Sequence, residues 1–264
     1  MSKPESVGRE ILYERVDDHV ALVTLNRPEK RNAINADVAL AMRYIVHETE
    51  ADDAIRVVVL ASCLDTTFCA GADLGELAAG RGHLLFPEGA GFGGLVDAPR
   101  CKPWIAAVRG NALAGGCELA LACDLIVASP DARFGLPEVK RGLFAGAGGV
   151  HRLPRALPRN VALELVMTGN SLGAERAYAL GLINRLVPSD AVIAEARQLA
   201  GEIATNAPIS VREALRVARL ANELSDAELR QISATTTTYV HQTEDAMEGP
   251  RAFLEKRPAV WKGR

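Results

Sequence analysis

Alternating apolar and polar positions open the chain. Residues 11–16 and 20–25 alternate on either side of the polar segment 17–19, which predicts two strands joined as a hairpin. Asn26-Arg27-Pro28 ends the second strand. From Asn35, a good N-cap residue, to Asp53, apolar residues recur at helical spacing, so this segment is predicted to be a helix.

Short, continuous apolar runs follow, and such runs are typical of strands buried on both faces. They lie at residues 56–61, 104–108 and 124–128, with a further short strand at 132–135. Residues 56–77 and 104–121 each run from an apolar strand through a turn of small residues into a helix. This internal repeat indicates an α/β fold.

Beyond Gly146 the chain is predicted to be almost wholly helical, with Gly, Pro, Ser and Asn between the segments. The predicted helices lie near 147–157, 159–168, 174–180, 190–205, 208–223, 226–240 and 243–256. We therefore expect a core with the active site over residues 1–200 and a helical region over 201–264. Residues 80–94, rich in glycine and without a clear period, are predicted to be a long loop beside the site.

Composition narrows the classes of function. The 264 residues are 48% hydrophobic, enough for a large core without disulfides. A net charge of −3 disfavours nucleic-acid binding. Five cysteines without a CxxC pair, no signal peptide and no apolar run long enough to span a membrane lead us to expect a soluble cytoplasmic protein. A basic run is either a solvated face or a contact for ligand phosphates; it comprises Lys140, Arg141, Arg152, Arg155 and Arg159.

Two turns of small residues, 69–72 and 112–116, each lead into a helix. The first turn of a helix has free N–H groups, and small side chains let a ligand oxygen approach them. Two such groups aimed at one point would form an oxyanion hole; the alternative is tight packing of helix on sheet. Glu118 lies in an apolar helix, and Glu138 follows Pro137, where an acid often only stabilises a helix start. Together they are a candidate acid–base pair.

Other motifs are weaker. Residues 169–173 spell GxSxG, but a helix precedes them, so Ser171 is predicted to cap the helix near Ala174 rather than act as a nucleophile. Gly146-Ala147-Gly148-Gly149 lacks the rest of a dinucleotide fingerprint, and the histidines lack zinc-site spacing. No metal and no redox cofactor are expected.

Several segments, in order, resemble the signatures of the crotonase (enoyl-CoA hydratase/isomerase) superfamily. They are LNRPEKRNAIN (25–35), FCAGADL (68–74), AGGCELA (114–120), FGLPE (134–138), GAGG (146–149) and EGPRAFLEKR (248–257). The resemblance implies a spiral of repeated ββα units with a C-terminal helical trimerisation region, giving a homotrimer or a hexamer made of two trimers. It also implies an acyl-CoA substrate and no other cofactor.

The resemblance further implies roles for residues. The amides of Ala72 and Gly115 form the oxyanion hole, and Glu118 and Glu138 are the catalytic acids. The residues expected to contact coenzyme A are Arg31, Ala33, Ile34, Ala70, Asp73, Leu74 and Gly75. Lys256 is expected to contact the coenzyme A bound to a neighbouring subunit. Gly75 departs from the family pattern, because many hydratases have lysine there.

Two glutamates are typical of the hydratases in this superfamily. The resemblance thus implies reversible addition of water to the α,β double bond of an enoyl-CoA, as in fatty-acid β-oxidation. Alternatives are an enoyl-CoA isomerase, a carnitinyl-CoA-type dehydratase, and a non-enzymatic acyl-CoA- or RNA-binding member.

Overall fold

The computed structural model describes Lys3 and residues 7–264 and contains two β-sheets and a set of helices. In chain order the strands are β1 (Ile11–Arg15), β2 (Val20–Leu25), β3 (Val57–Ser62), β4 (Thr67–Cys69), β5 (Trp104–Val108), β6 (Asn111–Leu113), β7 (Leu125–Ala128), β8 (Arg133–Gly135), β9 (Ser171–Gly173) and β10 (Arg185–Leu186). The larger sheet has the order β1-β2-β3-β5-β7-β10, and the smaller β4-β6-β8-β9.

The α-helices are α1 (Ala36–Ala51), α2 (Leu74–Ala78), α3 (Gly115–Ala122), α4 (Gly149–Ala156), α5 (Arg159–Thr168), α6 (Ala174–Ala179), α7 (Val192–Ala204), α8 (Pro208–Arg219), α9 (Asp226–His241) and α10 (Glu244–Glu255). Short 3-10 helices cover Pro28–Lys30, Gly82–Leu85, Phe92–Gly94, Pro137–Arg141 and Ser189–Ala191.

The chain alternates between the two sheets. β3, β5 and β7 pair in parallel in the larger sheet, and the strand after each of them, β4, β6 and β8, joins the smaller one. β4 leads into α2, β6 into α3, and β8 into the 3-10 helix Pro137–Arg141. This succession is the predicted spiral of ββα units, so the predicted fold class is confirmed.

The larger sheet is covered on both faces, which explains its continuous apolar strands. Val58 and Leu60 of β3 face the main core with α1, whereas Val57 and Val59 face α7. The sheet side of α7 consists of Val192, Ala196, Ala200 and Ala204. The predicted division at residue 200 falls inside this helix; the division itself stays a prediction.

The predicted hairpin is confirmed as the antiparallel pair β1–β2, and Asn35 caps α1 by accepting a hydrogen bond from the Val38 amide at 2.8 Å.

Three expectations were wrong. The turn expected at 110–112 contains β6, and Ser171 opens β9, so that Gly173 precedes α6 instead of a serine cap. The segment 80–94 borders the cavity as expected, through Leu85, Phe86 and Phe92, but it contains two 3-10 helices where a loop without regular structure was expected. Strands of three residues are too short to show a period of two.

Candidate active site

Three neighbouring strands of the smaller sheet deliver the candidate residues to one place. β4, β6 and β8 are parallel, so their carboxyl ends share one edge of the sheet. Ala72 follows β4, Gly115 and Glu118 follow β6, and Glu138 follows β8. The topology therefore brings together residues that lie far apart in sequence.

A cavity of about 490 Å³ opens at this edge. Ala72, Gly115, Glu118 and Glu138 all line it. Most of the other lining side chains are apolar: Ala70, Leu74, Leu77, Leu85, Phe86, Phe92, Leu113, Ala114, Pro137, Leu143, Phe144 and Ala147. Both acids and both small-residue turns thus face one largely apolar space, a combination typical of a ligand site.

The amide of Ala72 points away from its neighbouring segment. Ile34 forms a parallel bridge to Ala72: the Ile34 N–H donates to the Gly71 carbonyl at 2.8 Å, and its carbonyl accepts from the Asp73 N–H at 2.8 Å. In such a bridge the N–H of the central residue faces the opposite side. The bridge therefore does not use the Ala72 N–H, and Ala72 is one of the residues that line the cavity.

Gly115 is the first residue of α3, so no intrahelical acceptor exists for its N–H. Ala114 before it has φ 52 and ψ −128, a costly conformation for a residue with a Cβ. The Ala114 amide donates to the Gly135 carbonyl at 2.9 Å, which ties this turn to β8. The strained turn leaves the Gly115 amide at the cavity wall.

Missing side chains let the two turns touch. A Cβ added to Gly71, whose φ is +96°, would lie 2.9 Å from the Gly115 nitrogen. A Cβ on Gly116 would overlap the Cys69 carbonyl oxygen. The two alternatives for these turns, close packing and paired amides, are therefore compatible, because the packing places Gly71, next to Ala72, against the Gly115 nitrogen.

Glu118 is buried, with 3% of its surface exposed. Its Oε1 accepts a hydrogen bond from the Gly149 amide at 2.9 Å. Burial raises the pKa of Glu118 to about 7; the charge of Glu138 adds to this rise, while the Gly149 and Ala147 amides and Arg152 oppose it. Glu118 therefore exchanges its proton near neutral pH.

Glu138 is the second residue of its 3-10 helix, directly after Pro137. Its Oε2 is buried and has no hydrogen-bond partner within the described part of the chain. Burial raises the pKa of Glu138 as well, against its own backbone amide and Arg141. The Glu138 carboxyl thus interacts with its own backbone amide at the start of the helix, while its Oε2 makes no hydrogen bond within the described residues.

The other predicted binding residues fall into two groups. Arg31, Ala70 and Leu74 line the cavity. Those outside its lining are Ala33, Ile34, Asp73, Gly75 and Lys256.

This second group has structural contacts of its own. Ile34 is 1% exposed, and its backbone groups are used in the bridge to residues 71–73. Asp73 caps α2 through the Gly75 amide at 2.9 Å and pairs with Arg27 at 3.2 Å. Lys256 ends α10 in the left-handed region at φ 55. Their predicted contacts with coenzyme A stay predictions.

The basic run divides among separate contacts. Lys140 donates to Asn170 at 2.8 Å, and Arg155 pairs with the exposed Glu223 at 3.3 Å. Arg141 lines the cavity, and Arg152 donates to the Val96 carbonyl at 2.9 Å. The sequence did not predict the hydrogen bond from Arg152 to Val96, in the segment beside the cavity, because residues 96 and 152 are distant in sequence.

Residues 3 and 7–264 contain no group of three or more side chains suited to hold a metal ion. Over the same residues, every helix is too short or too polar to cross a bilayer. Ser171 is exposed and does not line the cavity with the two acids.

Comparisons with known proteins agree with this architecture. The model of the enoyl-CoA hydratase/isomerase family matches residues 15–264. An enoyl-CoA hydratase from Mycobacterium tuberculosis H37Rv has a similar structure, with a TM-score of 0.92 and 41% identity over 97% of this chain and 99% of that one. A carnitinyl-CoA hydratase from Mycobacterium avium has a TM-score of 0.76 and 44% identity, covering 97% and 99% of the two chains.

The carnitinyl-CoA dehydratase of Escherichia coli K12 is 40% identical over 247 residues, which are 92% of this chain and 94% of that protein. The family match covers almost the whole chain, and five of the six motifs, all except residues 248–257, contribute residues to the cavity. The chain belongs to the enoyl-CoA hydratase/isomerase family of the crotonase superfamily.

Proposed function

We propose that the chain is an enoyl-CoA hydratase, which adds water across the α,β double bond of an enoyl-CoA thioester to give the 3-hydroxyacyl-CoA. The main support is the pair of carboxyls of Glu118, which is buried, and Glu138, which is half-buried; both line one largely apolar cavity together with Ala72 and Gly115. Coenzyme A enters as part of the substrate, and the reaction as written needs no other cofactor.

In the proposed mechanism the two amides hold the thioester oxygen. Glu118, ionised, takes a proton from a water molecule whose oxygen bonds to the β-carbon. Electrons of the double bond move onto the thioester oxygen as an enolate, which the amides of Ala72 and Gly115 stabilise. Glu138, protonated, then gives its proton to the α-carbon, and the pair returns to its starting state when one proton moves from Glu118 to Glu138.

This cycle needs one proton on the pair at the start. Burial favours the neutral form of each carboxyl, and the charge of one raises the pKa of the other, so that a singly protonated pair is expected near neutral pH. In the free protein the negative Glu138 favours the proton on Glu118. In the reactive state the proton is on Glu138. Transfer of this proton from Glu118 to Glu138, the step that also ends the cycle, converts the free state into the reactive state.

Glu118→Gln and Glu138→Gln are each expected to lower kcat by about 10²–10⁴-fold, because each removes a proton-transfer group. The measurement is the loss of enoyl absorbance with crotonyl-CoA. Glu175→Gln, at an exposed glutamate in the first turn of α6, is the matched control and should leave the rate unchanged. Full activity in both site variants would remove the pair from the mechanism.

A carnitinyl-CoA dehydratase is the second candidate, because relatives with that name are 40% identical. Such a substrate carries a trimethylammonium group. The charged residues lining the cavity are the two glutamates and the cations Arg31 and Arg141, so a cationic acyl group lacks an additional counter-charge there.

We therefore expect enoyl-CoAs with uncharged acyl groups to have a higher kcat/KM than the trimethylammonium substrate in the same assay. A preference for the trimethylammonium substrate would support the second candidate. Faster conversion of a β,γ-enoyl-CoA would instead support an isomerase. No turnover of any acyl-CoA, together with tight binding, would support a non-enzymatic member.

We also propose that the chain forms a homotrimer or a hexamer through its C-terminal helices. On α10, Met247, Phe253 and Leu254 are 74%, 83% and 79% exposed. Such an apolar surface on one helix is costly in water unless a partner covers it. A second copy of the chain is the proposed occupant, and Lys256 directly follows this surface. A cytoplasmic location, suggested by five free thiols, is part of the same proposal.

A further inference from the structure

Arg152, on α4, connects three segments around Glu118. Its Nη1 donates to the Ala147 carbonyl at 3.1 Å, and its Nη2 donates to the Val96 carbonyl at 2.9 Å and to the Asp97 carboxylate at 3.2 Å. Ala147 lies in the turn before α4, while Val96 and Asp97 end the segment that brings Phe92 to the cavity. One guanidinium thus joins two walls of the site.

The turn that Arg152 holds is the one that holds Glu118. Gly149, two residues after Ala147, donates its amide to Glu118 Oε1 at 2.9 Å. Gly148 between them has φ +102°, and a Cβ there would overlap Arg152 Nη1. The glycine therefore serves both the turn and the close approach of the guanidinium.

We propose that Arg152 is a positioning residue for Glu118, fixing the turn at residues 147–149 against residues 96–97 so that the Gly149 amide holds the Glu118 carboxylate at the cavity. The inference rests on the proposed function for its catalytic consequence. Arg152 does not line the cavity, so it acts through the turn and through its charge.

An arginine suits this position because its acceptors lie in two directions. The planar fork reaches Ala147 with one nitrogen and Val96 with the other, which a single lysine ammonium does less well. The groups that act electrically on Glu118 are Glu138, which raises its pKa, and Arg152, which lowers it. Cys117 is a buried neighbour whose thiol stays neutral because burial raises its pKa, and Arg141 acts on Glu138.

The test compares Arg152→Gln and Arg152→Lys by the pH dependence of kcat/KM. Since Glu118 must be ionised to accept a proton, Arg152→Gln should move the acidic limb of the profile to higher pH. At pH 7 its kcat/KM should fall by about 3- to 10-fold, the effect of losing a nearby opposite charge, and much of the loss should disappear at higher pH. Arg152→Lys keeps the charge, so its limb should stay near the wild-type position while kcat is lower at every pH.

Arg155→Gln is the matched control. It removes the same charge from the same helix, but Arg155 pairs with Glu223 at the surface, so its profile should coincide with that of the wild type. If Arg152→Gln lowers activity by one factor at every pH, in step with lost thermal stability, Arg152 has only a structural role and the inference is wrong. A wild-type profile in Arg152→Gln would also overturn it.

A readout independent of turnover separates this inference from the proposed function. The carboxyl band of Glu118, identified as the infrared signal lost in Glu118→Gln, can be titrated directly. It should titrate at higher pH in Arg152→Gln than in the wild type, and an unchanged titration would contradict the inference. A wild-type protein that hydrates no enoyl-CoA would refute the proposed function and leave this titration interpretable.

Discussion

At the level of one residue, Glu118 is a proposed catalytic group whose burial lowers the stability of the folded protein when the carboxyl is ionised. Its carboxyl is buried, and the amides of Gly149 and Ala147 and the nearby Arg152 only partly compensate the lost solvation. A pKa near 7 places its proton exchange in the range where catalysis operates. The same burial that prepares the group for chemistry makes its charged form unfavourable.

The stability of the protein should therefore depend on pH through this residue. Because the pKa of Glu118 is raised from 4.5 to about 7 on folding, the folded state binds more protons between these values, and stability falls as pH rises through them. At pH 8 the free energy of unfolding of Glu118→Gln should exceed that of the wild type by about 2–4 kcal/mol, so that it unfolds at a higher urea concentration. At pH 4 the two proteins should unfold at similar urea concentrations.

Urea unfolding at the two pH values measures this difference. Glu175→Gln, at an exposed position, should follow the wild type at both. A Glu118→Gln variant that is less stable than the wild type at pH 8 would show that the carboxylate is well compensated in the folded state.

At the level of elements, the site depends on repeated strand–turn–helix units. The turns after β4 and β6 are built from small residues, and Gly116, in the first turn of α3, packs directly on the Cys69 carbonyl at the end of β4. Backbone against backbone leaves no side chain that could move aside. This contact holds the start of α3 close to the end of β4.

Gly116→Ala is expected to destabilise the protein by about 1–3 kcal/mol, because the added methyl group must push two backbone segments apart. It should also reduce kcat by displacing an amide of the proposed oxyanion hole. Gly201→Ala in α7 is the matched control: its Cβ would meet no atom within 4 Å, so the substitution should be neutral or stabilise by about 0.5–1 kcal/mol. Equal unfolding free energies for the two variants would contradict the close-packing argument.

At the level of the whole molecule, the two ends of the chain differ. The strands, α1 and the helices α3 to α7 supply residues to the two hydrophobic clusters, whereas α9 buries none of its side chains within a single chain. Near the C-terminus, the Trp261 Nε1–H donates a hydrogen bond to the carbonyl of Thr205, the residue after α7, at 2.7 Å. The C-terminal helices are thus attached to the core and leave apolar side chains exposed on their surfaces.

Replacing Phe253 and Leu254 by aspartate should convert the proposed oligomer to monomers, since two charges would enter an apolar contact. Analytical ultracentrifugation measures the change. Met167→Asp places a charge at an exposed apolar residue of α5, 70% exposed, and should leave the sedimentation unchanged. A wild-type chain that sediments as a monomer would refute the proposed self-association.

Much of this description was available from local patterns. The hairpin, the three buried strands and the capped helix α1 carry their signal in consecutive residues, and the resemblance predicted the fold and the two acids. The strand predicted at 132–135 is present as β8, but β4, β6 and β9 of the smaller sheet were not predicted, since each contributes only three residues. Their pairing comes from hydrogen bonds to distant segments, and no periodic pattern marks them.

The amino-acid sequence by itself determined which segments are buried and where the chain turns, because side-chain volume, polarity and the conformations open to glycine and proline act locally. Tertiary structure alone decided what surrounds each acid. Glu118 receives the Gly149 amide from 31 residues away, and Arg152 fixes that turn against Val96. Such contacts depend on distances in space, which the order of residues does not specify.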